Sequence, residues 1–358
     1  MNILIAGYGN IGKSIHTLLK KYPISHIENI HIAEIKEGLS AVSGLANLHQ
    51  QLDVIINVTP DDDEKLVQMC ENLGVHYIDT GFELAYKIKD LMTSKTKNNG
   101  KSIKLWGFGM NPGLIEYMYR KQNLNKKHIV IEFETDTATA AQSNGLFHTW
   151  SPETYISESS IEPPFAYING SMQIIDRNAT GADIELFVDG EVREYLWIPH
   201  EELFSMAQSN KNCALTAFLY CAPKNVQRHS IQSRKNKILQ KSHIPVLHDI
   251  HGYDCVGILV CVDQELTYVY NKAIHQDCYR DFSVNGTCWQ VACGIYVALT
   301  IMPYLKAGDY TVSSITSDVF HIIDSTLEKL GFNIETSKKV ITSNDFWDKI
   351  MSPFSLVK

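Results

Sequence analysis

The sequence predicts an α/β protein: a doubly wound parallel sheet, then a second α+β domain built on a largely antiparallel sheet. Three observations predict it. A glycine triplet sits between a strand and a helix pattern at the N-terminus. Strand and helix patterns then alternate to about residue 115, and a series of strand patterns follows from about 125 to 270. With 358 residues, 44% hydrophobic and 20% charged, the chain has the composition of an ordinary globular protein and is long enough for two cores. The expected domains are 1–118, 119–305, and a C-terminal segment 306–358 that packs back on the first.

The chain opens on NILIA, an apolar strand, followed by Gly7-x-Gly9-x-x-Gly12 and a helical pattern through Ile15, Leu18 and Leu19. Flanked in this way, the triplet reads as a dinucleotide-binding turn of the Rossmann type. Gly7 turns the chain, Gly9 lets backbone approach a pyrophosphate, and Gly12 lets helix and strand pack closely. The phosphates would meet the open N–H groups at the helix start, at Asn10, Ile11 and Gly12. A second strand, ENIHIAE, ends at Glu34, 22 residues past Gly12. An acid there suits the ribose hydroxyls of NAD and repels the 2′-phosphate of NADP; otherwise it is a solvated strand end. DVIINV, VHYIDT and KLWGFG read as further buried strands, with the helix KLVQMCENLG and one more helix between them. Ligands in such sheets sit beyond the carboxyl ends of strands, which favours Asn57, Thr59 to Asp63 and Thr80 to Glu83 as contacts. The Asp61-Asp62-Asp63 triplet also suits helix capping.

Several features narrow the class. The net charge of −8 argues against nucleic acid and is compatible with cationic ligands. The strip KNVQRHSIQSRKNKILQK (224–241) reads as a solvated loop, because it lacks interleaved aromatics. MNILIAGYGNIG has no basic n-region and reads as a strand rather than a signal peptide. The apolar run 286–305 contains Gln290 and Pro303, which suits a buried helix better than a membrane span. Eight cysteines occur without any C-x-x-C, so neither a zinc site nor a disulfide framework is expected, and the setting reads as a reducing cytoplasm. His248-x-x-His251 lacks a third ligand at useful spacing, so no metal is expected.

The second part has a different character. HIVIEFETDTA, QIIDR, DIELFVD, REYLWI, ALTAFLYC, DCVGILVCV and TYVYN are strand patterns, followed by the long helix WQVACGIYVALTIM and a C-terminal helix with a strand. From His128 to Asn210 there are fourteen Asp and Glu against two arginines, Arg177 and Arg193. Of the chain's 40 acids and 32 bases, the remainder keeps 26 and 30. Alternating strands place some of these acids in water, among them Asp183, Glu185, Asp189 and Glu191. Glu134 ends a β-branched strand, and Trp150 sits in a polar loop eight residues before Glu158. A tryptophan face near carboxylates can hold an alkylammonium. A core tryptophan with surface acids is the other reading.

Taken together, the stretches AGYGNIG, NVTPDDDEKLVQMCENLGVHYIDTGFE, GMNPGLIEYM, ETDT, TWSPETYISE, PHEEL and GYDCVGILV resemble bacterial homospermidine synthase, within the saccharopine-dehydrogenase-like group. FSVNGTCWQVACGI resembles a helix-opening segment of that family. The resemblance implies a cytoplasmic homodimer in which NAD takes a hydride from putrescine and later returns it. A second amine displaces ammonia in between, so that homospermidine forms through imine intermediates. It also implies roles for single residues. Asp61 and Glu83 would lie near cofactor and substrate, and Asn111 near the reacting amine. Glu134 and Glu158 would be pocket carboxylates, Trp150 would stack on the cation, and His200 with Glu202 would join the pocket. Glu158, Glu134 and His200 are the proton-transfer candidates, His200 having the ordinary pKa closest to neutrality. The chain departs from the family in being shorter, in carrying PPFAYING after Glu158, and in having Leu84 where a tryptophan is expected. Two alternatives remain: a reductive condensing enzyme of the carboxynorspermidine or saccharopine dehydrogenase type consuming NAD(P)H, and a non-catalytic polyamine- or dinucleotide-binding protein. The first would need a basic side chain for a substrate carboxylate.

Overall fold

The computed structural model describes residues 1–33, 52–59, 64–81, 100–140, 147–175, 183–188, 191–224, 226–227, 247–340 and 350. The chain divides into two compact units. The first comprises Met1–Tyr117, Arg280–Val284 and Cys288–Asn333, and the second Met118–Tyr279, Asn285–Thr287 and Ile334–Lys358.

The first unit is built on a parallel sheet of β1 (Asn2–Ala6), β2 (Asn29–Ala33), β3 (Val54–Asn57), β4 (His76–Asp79), β5 (Ile103–Leu105) and β16 (Gly308–Tyr310). Its order is β16-β5-β4-β3-β1-β2. A parallel sheet is covered on both faces, which is why β1 and β3 read as unbroken apolar runs; Ile3, Leu4, Ile5, Val54, Ile55 and Ile56 are all buried. The chain leaves β1 toward β2 on one side and passes to β3 on the other, so the topological switch lies between the carboxyl ends of β1 and β3. α1 (Asn10–Lys21) follows β1, and α2 (Glu64–Leu73) packs Leu66 and Cys70 against Leu4, Ile55 and Tyr77. α3 (Leu114–Lys121) follows the NPG turn.

The second unit holds a nine-stranded mixed sheet. Its strands are β6 (His128–Asp136), β8 (Phe165–Ile168), β9 (Ser171–Ile174), β10 (Asp183–Val188), β11 (Glu191–Ile198), β12 (Cys213–Cys221), β14 (Tyr253–Val262), β15 (Glu265–Ile274) and β17 (Glu335–Val340). The path runs β10-β11-β12-β6-β14-β15-β17, with β8 on β12 and β9 on β8. β6 and β12 are parallel, and the other described pairings in this sheet are antiparallel. β7 (Thr139–Ala140) and β13 (Ile250–His251) form a small ladder apart from it. α4 (Pro152–Ile156) runs into a π-helical turn, Ser157–Ile161; α5 (Glu202–Ser209) and α6 (His275–Phe282) follow later in the chain.

Two expectations need correction. α7 (Gly286–Ile301), expected within a 119–305 domain, belongs from Cys288 onward to the first unit. The reason is close packing: a Cβ added at Gly294 would stand 2.1 Å from the carbonyl oxygen of Gly109. The apolar window Gly286–Tyr304 is 83% buried, as befits a core helix. The segment 306–358 also does not act as one piece. β16 extends the parallel sheet beside β5, and α8 (Phe320–Leu330) stays in the first unit, while β17 pairs with β15 in the second sheet.

Candidate functional site

In the first unit the glycine turn has the geometry that its spacing implies. Gly7 has φ +98°, and a Cβ there would meet the Val58 carbonyl oxygen at 2.9 Å, just past the end of β3 on the other side of the switch point. A Cβ at Gly12 would stand 2.0 Å from the Gly7 carbonyl oxygen, so helix and turn touch backbone to backbone. At Gly9 nothing lies within 4 Å of such an atom, which leaves an open approach to the backbone. Gly9 is the N-cap of α1 without a side-chain capping bond, and the first turn carries no acid. The amides of Asn10, Ile11 and Gly12 are therefore presented to an anion without competition. These residues fit a dinucleotide pyrophosphate. Thr59 lies against Gly7 through Cγ2, while its Oγ1 donates to Asn57 Oδ1 at 2.7 Å. Asn57 is buried and also donates to Tyr77 Oη at 3.1 Å, so its side chain shapes the turn. Thr80 follows β4, its carbonyl oxygen close to Gly109. Asn111 belongs to this unit too, in a turn closed by Gly109 N–H donating to Pro112 O at 2.9 Å. Glu34, Asp61 and Glu83 lie outside the described residues.

The second unit gathers the acids. Along β6 the side chains alternate: Ile131 and Phe133 enter an apolar core with Leu219, Leu259, Tyr195 and Trp197, while Glu132, Glu134 and Asp136 share the opposite face. That face is not solvated. Glu132 is 0% exposed, Glu134 6%, Asp136 2%, and Asp254, paired with Asp136 across β14, 0%. Next to them on β12, Phe218 pairs with Glu132 and Tyr220 with Glu134. α5 covers part of this surface through a bond from Thr216 Oγ1 to the Leu203 carbonyl.

His200 precedes α5 and packs against Phe218 at 4.5 Å between ring centroids; its Nδ1 is hydrogen-bonded to Glu202 Oε2. Glu132, His200 and Glu202 bring their functional atoms within 4.8 Å of one another. Burial alone would lower the His200 pKa, but Glu202, Glu201 and Glu132 together hold it well above the usual value. The imidazole expected nearest neutrality is therefore an imidazolium. Glu158 takes that place: burial, outweighing the attraction of His200, pushes its carboxyl up to about 8. The residue is half-buried in the π-helical turn, yet its Oε2 is sealed from solvent. Burial, then Glu134 and Asp136, keep Asp254 protonated well above the usual carboxylate range.

Trp150 is half-buried rather than a core residue. Its Nε1 donates to Tyr220 Oη at 3.2 Å, and its ring meets Tyr155 and Tyr220 edge-on at 6.2 and 6.3 Å. Tyr155, three residues before Glu158, also packs against His148, the rings tilted at 48° with centroids 4.7 Å apart. The structure thus links Glu134, Trp150, Glu158, His200 and Glu202 in one cluster of the second unit. Glu132, Asp136, Asp254 and Tyr220 lie in the same cluster and were not among the expected site residues. For Glu132 and Asp136 the signal was the even-numbered parity of IEFETD, which alternation alone assigns as readily to water; Asp254 and Tyr220, on other strands, had no such signal. Elsewhere, His248 approaches Asp249 and His251 pairs with Gln276, while most of the basic strip lies outside the described residues.

No protein-family model matches the chain, and no curated protein matches it. Solved structures do share its fold. Homospermidine synthase from Legionella pneumophila, in complex with NAD, superposes with a TM-score of 0.76 at 15% identity, over 94% of this chain and 91% of that one. Apo saccharopine dehydrogenase (L-Glu forming) from Saccharomyces cerevisiae gives 0.61 at 10% identity, over 95% and 100%. The chain has the fold common to these two proteins.

Proposed function

We propose that the protein is a homospermidine synthase-like enzyme that uses NAD to condense putrescine or a related diamine, with release of ammonia. The observation that carries this reading is the acidic face of the second sheet. Glu134, Asp136 and Asp254 are buried together, and among the described residues the charges acting on Glu158 and Asp254 come from other carboxyls and from imidazoles. Such a surface favours positively charged nitrogen and disfavours a carboxylate substrate. Arg193 has the parity of Tyr195 and Trp197, which pack in the apolar core on the other face. That arrangement weighs against a reductive enzyme that would clasp an amino or oxo acid.

Bound NAD would supply reversible hydride transfer at the amine-bearing carbon. The chain's own residues would do the rest. Glu134 would hold the ammonium that takes no part in the chemistry. Trp150, fixed by Tyr220, would add about 0.5–2 kcal/mol of cation–π attraction and shield the reacting centre from water. Glu158, a neutral acid at pH 7, would give its proton to departing ammonia. The resemblance further suggests a homodimer, which light scattering would check.

Purified protein incubated with putrescine and a catalytic amount of NAD tests the reading. Homospermidine and ammonia without net NADH are the expected products. Stoichiometric cofactor oxidation with an oxo acid or aldehyde would favour the reductive alternative, and diamine binding without turnover the non-catalytic one.

A further inference from the structure

Glu132 has the least accommodating surroundings of the acids on β6. Its paired neighbours are Phe218 on β12 and Ile258 on β14, it is 0% exposed, and among the described residues the hydrogen-bonding neighbour of its carboxyl is the Glu202 carboxyl. Glu202, also 0% exposed, uses Oε2 on His200 and has Oε1 left for that contact. Both carboxyls and the imidazole lie within 4.8 Å of one another. Among the described residues, the largest charges acting on Glu132 are those of Glu202, His200 and Glu134, and on His200 those of Glu202, Glu201 and Glu132, none of them a lysine or arginine. Two ionised carboxylates and one imidazolium would leave a net negative charge sealed in the interior, which the fold disfavours strongly. A single proton resolves both difficulties. Placed on Glu132, it neutralises the trio and supplies the hydrogen that a bond between the two facing carboxyls requires.

We propose that Glu132 is a proton-bearing acid that donates to Glu202 and thereby holds the Glu202–His200 ion pair in position. Glu132 is then a positioning residue, outside the set that the resemblance assigns. Its donor bond fixes the carboxylate that orients the imidazolium, which lies among the charges acting on Glu158. The consequence for turnover rests on the function proposed above; the shared proton does not.

Infrared difference spectroscopy of the wild-type protein against Glu132→Gln at neutral pH, without substrate, decides the protonation. Glutamine keeps the shape and still donates to Glu202. The expected result is loss of one protonated-carboxyl C=O band, with unchanged circular dichroism and an unchanged imidazolium signal for His200, assigned by its loss in His200→Asn. Loss of a carboxylate band instead would overturn the proposal, as would a stoichiometric metal found by elemental analysis in wild type and absent from the variant. With putrescine and NAD, Glu132→Gln should keep kcat and KM close to wild type, whereas Glu132→Leu should lower kcat by roughly tenfold, the size of one net hydrogen bond. If wild type does not turn putrescine over, the infrared result still stands, so the two readings fail separately.

Discussion

Asp136 and Asp254 stand side by side in the register of β6 and β14, two buried acids where an ordinary sheet would avoid like charges. Each is supported by a hydroxyl at 2.6 Å: Thr149 Oγ1 donates to Asp136 Oδ2, and Thr287 Oγ1 to Asp254 Oδ2. The Ala138 amide also donates to Asp136 at 2.8 Å, and His275 Nε2 lies 3.6 Å from it. The His275 Nδ1 accepts from Gly286 N–H, which leaves Nε2 to carry the proton toward Asp136. These bonds bind the residue before Trp150 to the acidic strand.

Asn285 completes that attachment, its Nδ2 donating to the Thr149 carbonyl at 2.7 Å in a buried setting. Replacing it with alanine removes a donor from a buried carbonyl, a loss of about 1–3 kcal/mol. The expected outcome for Asn285→Ala is a roughly ten- to hundredfold fall in kcat/KM for the diamine, with NAD affinity unchanged. Steady-state kinetics beside NAD titration checks it; a parallel loss of NAD affinity would mean that the bond does not act through Trp150.

The glycine turn gives a paired prediction, because its glycines serve different ends. Gly12→Ala forces a Cβ to within 2.0 Å of backbone and should destabilise the fold by at least about 1–3 kcal/mol. Gly9→Ala meets nothing within 4 Å and should melt at the wild-type temperature without ligand, yet bind NAD more weakly because the added methyl occupies the approach to the phosphates. Thermal melts with and without NAD separate the two. Normal NAD stabilisation of Gly9→Ala would remove the phosphate assignment.

How far the sequence disclosed these features depended on whether the causal contacts were local. β1, β3 and β4 were legible because strands covered on both faces must be apolar throughout. The turn at Gly7 was legible because no other residue type serves its positive φ without strain. The polar β17, ETSKKV, could not be placed, since its pairing with β15 is long-range and nothing in its composition names a partner. The acids of β6 could be assigned to one face from alternation, but not to the interior, because α5 and the His200 segment, which cover that face, are distant from it in the chain. The ordinary histidine pKa also misled: the acids around His200, Glu202 first among them, reverse the effect of its burial.

Those carboxyl environments predict a pH effect with a definite sign. Glu158 titrates at its ordinary 4.5 when unfolded and at about 8 when folded, so the native chain binds the extra proton between those values. Stability that is complete below the lower value is therefore lost as pH rises through the upper one. Glu132, Asp254 and His200 act in the same direction, whereas His76 and His128, lowered mainly by burial, weaken the fold on the acid side. Comparison with Glu158→Gln cancels these shared contributions. From pH 5 to pH 8.5 the stability of wild type should fall relative to the variant in urea titrations, and a constant difference would contradict the protonated state assigned to Glu158.

Trp150 allows the cation-binding role to be separated from packing. Phenylalanine retains an aromatic face but loses the Nε1 bond to Tyr220, and alanine loses both. Because Tyr220 is buried and its phenol is held protonated mainly by burial, then by Glu134 and Asp136, removal of the indole also leaves its oxygen without that donor. If the face attracts ammonium, Trp150→Ala should raise KM for putrescine and lower kcat, with Trp150→Phe intermediate and closer to wild type. Tyr220→Phe keeps the indole but releases its anchor, and should lower kcat more than it raises KM. Equal losses from Trp150→Phe and Trp150→Ala would show that the indole N–H, and not the π face, is what the site requires.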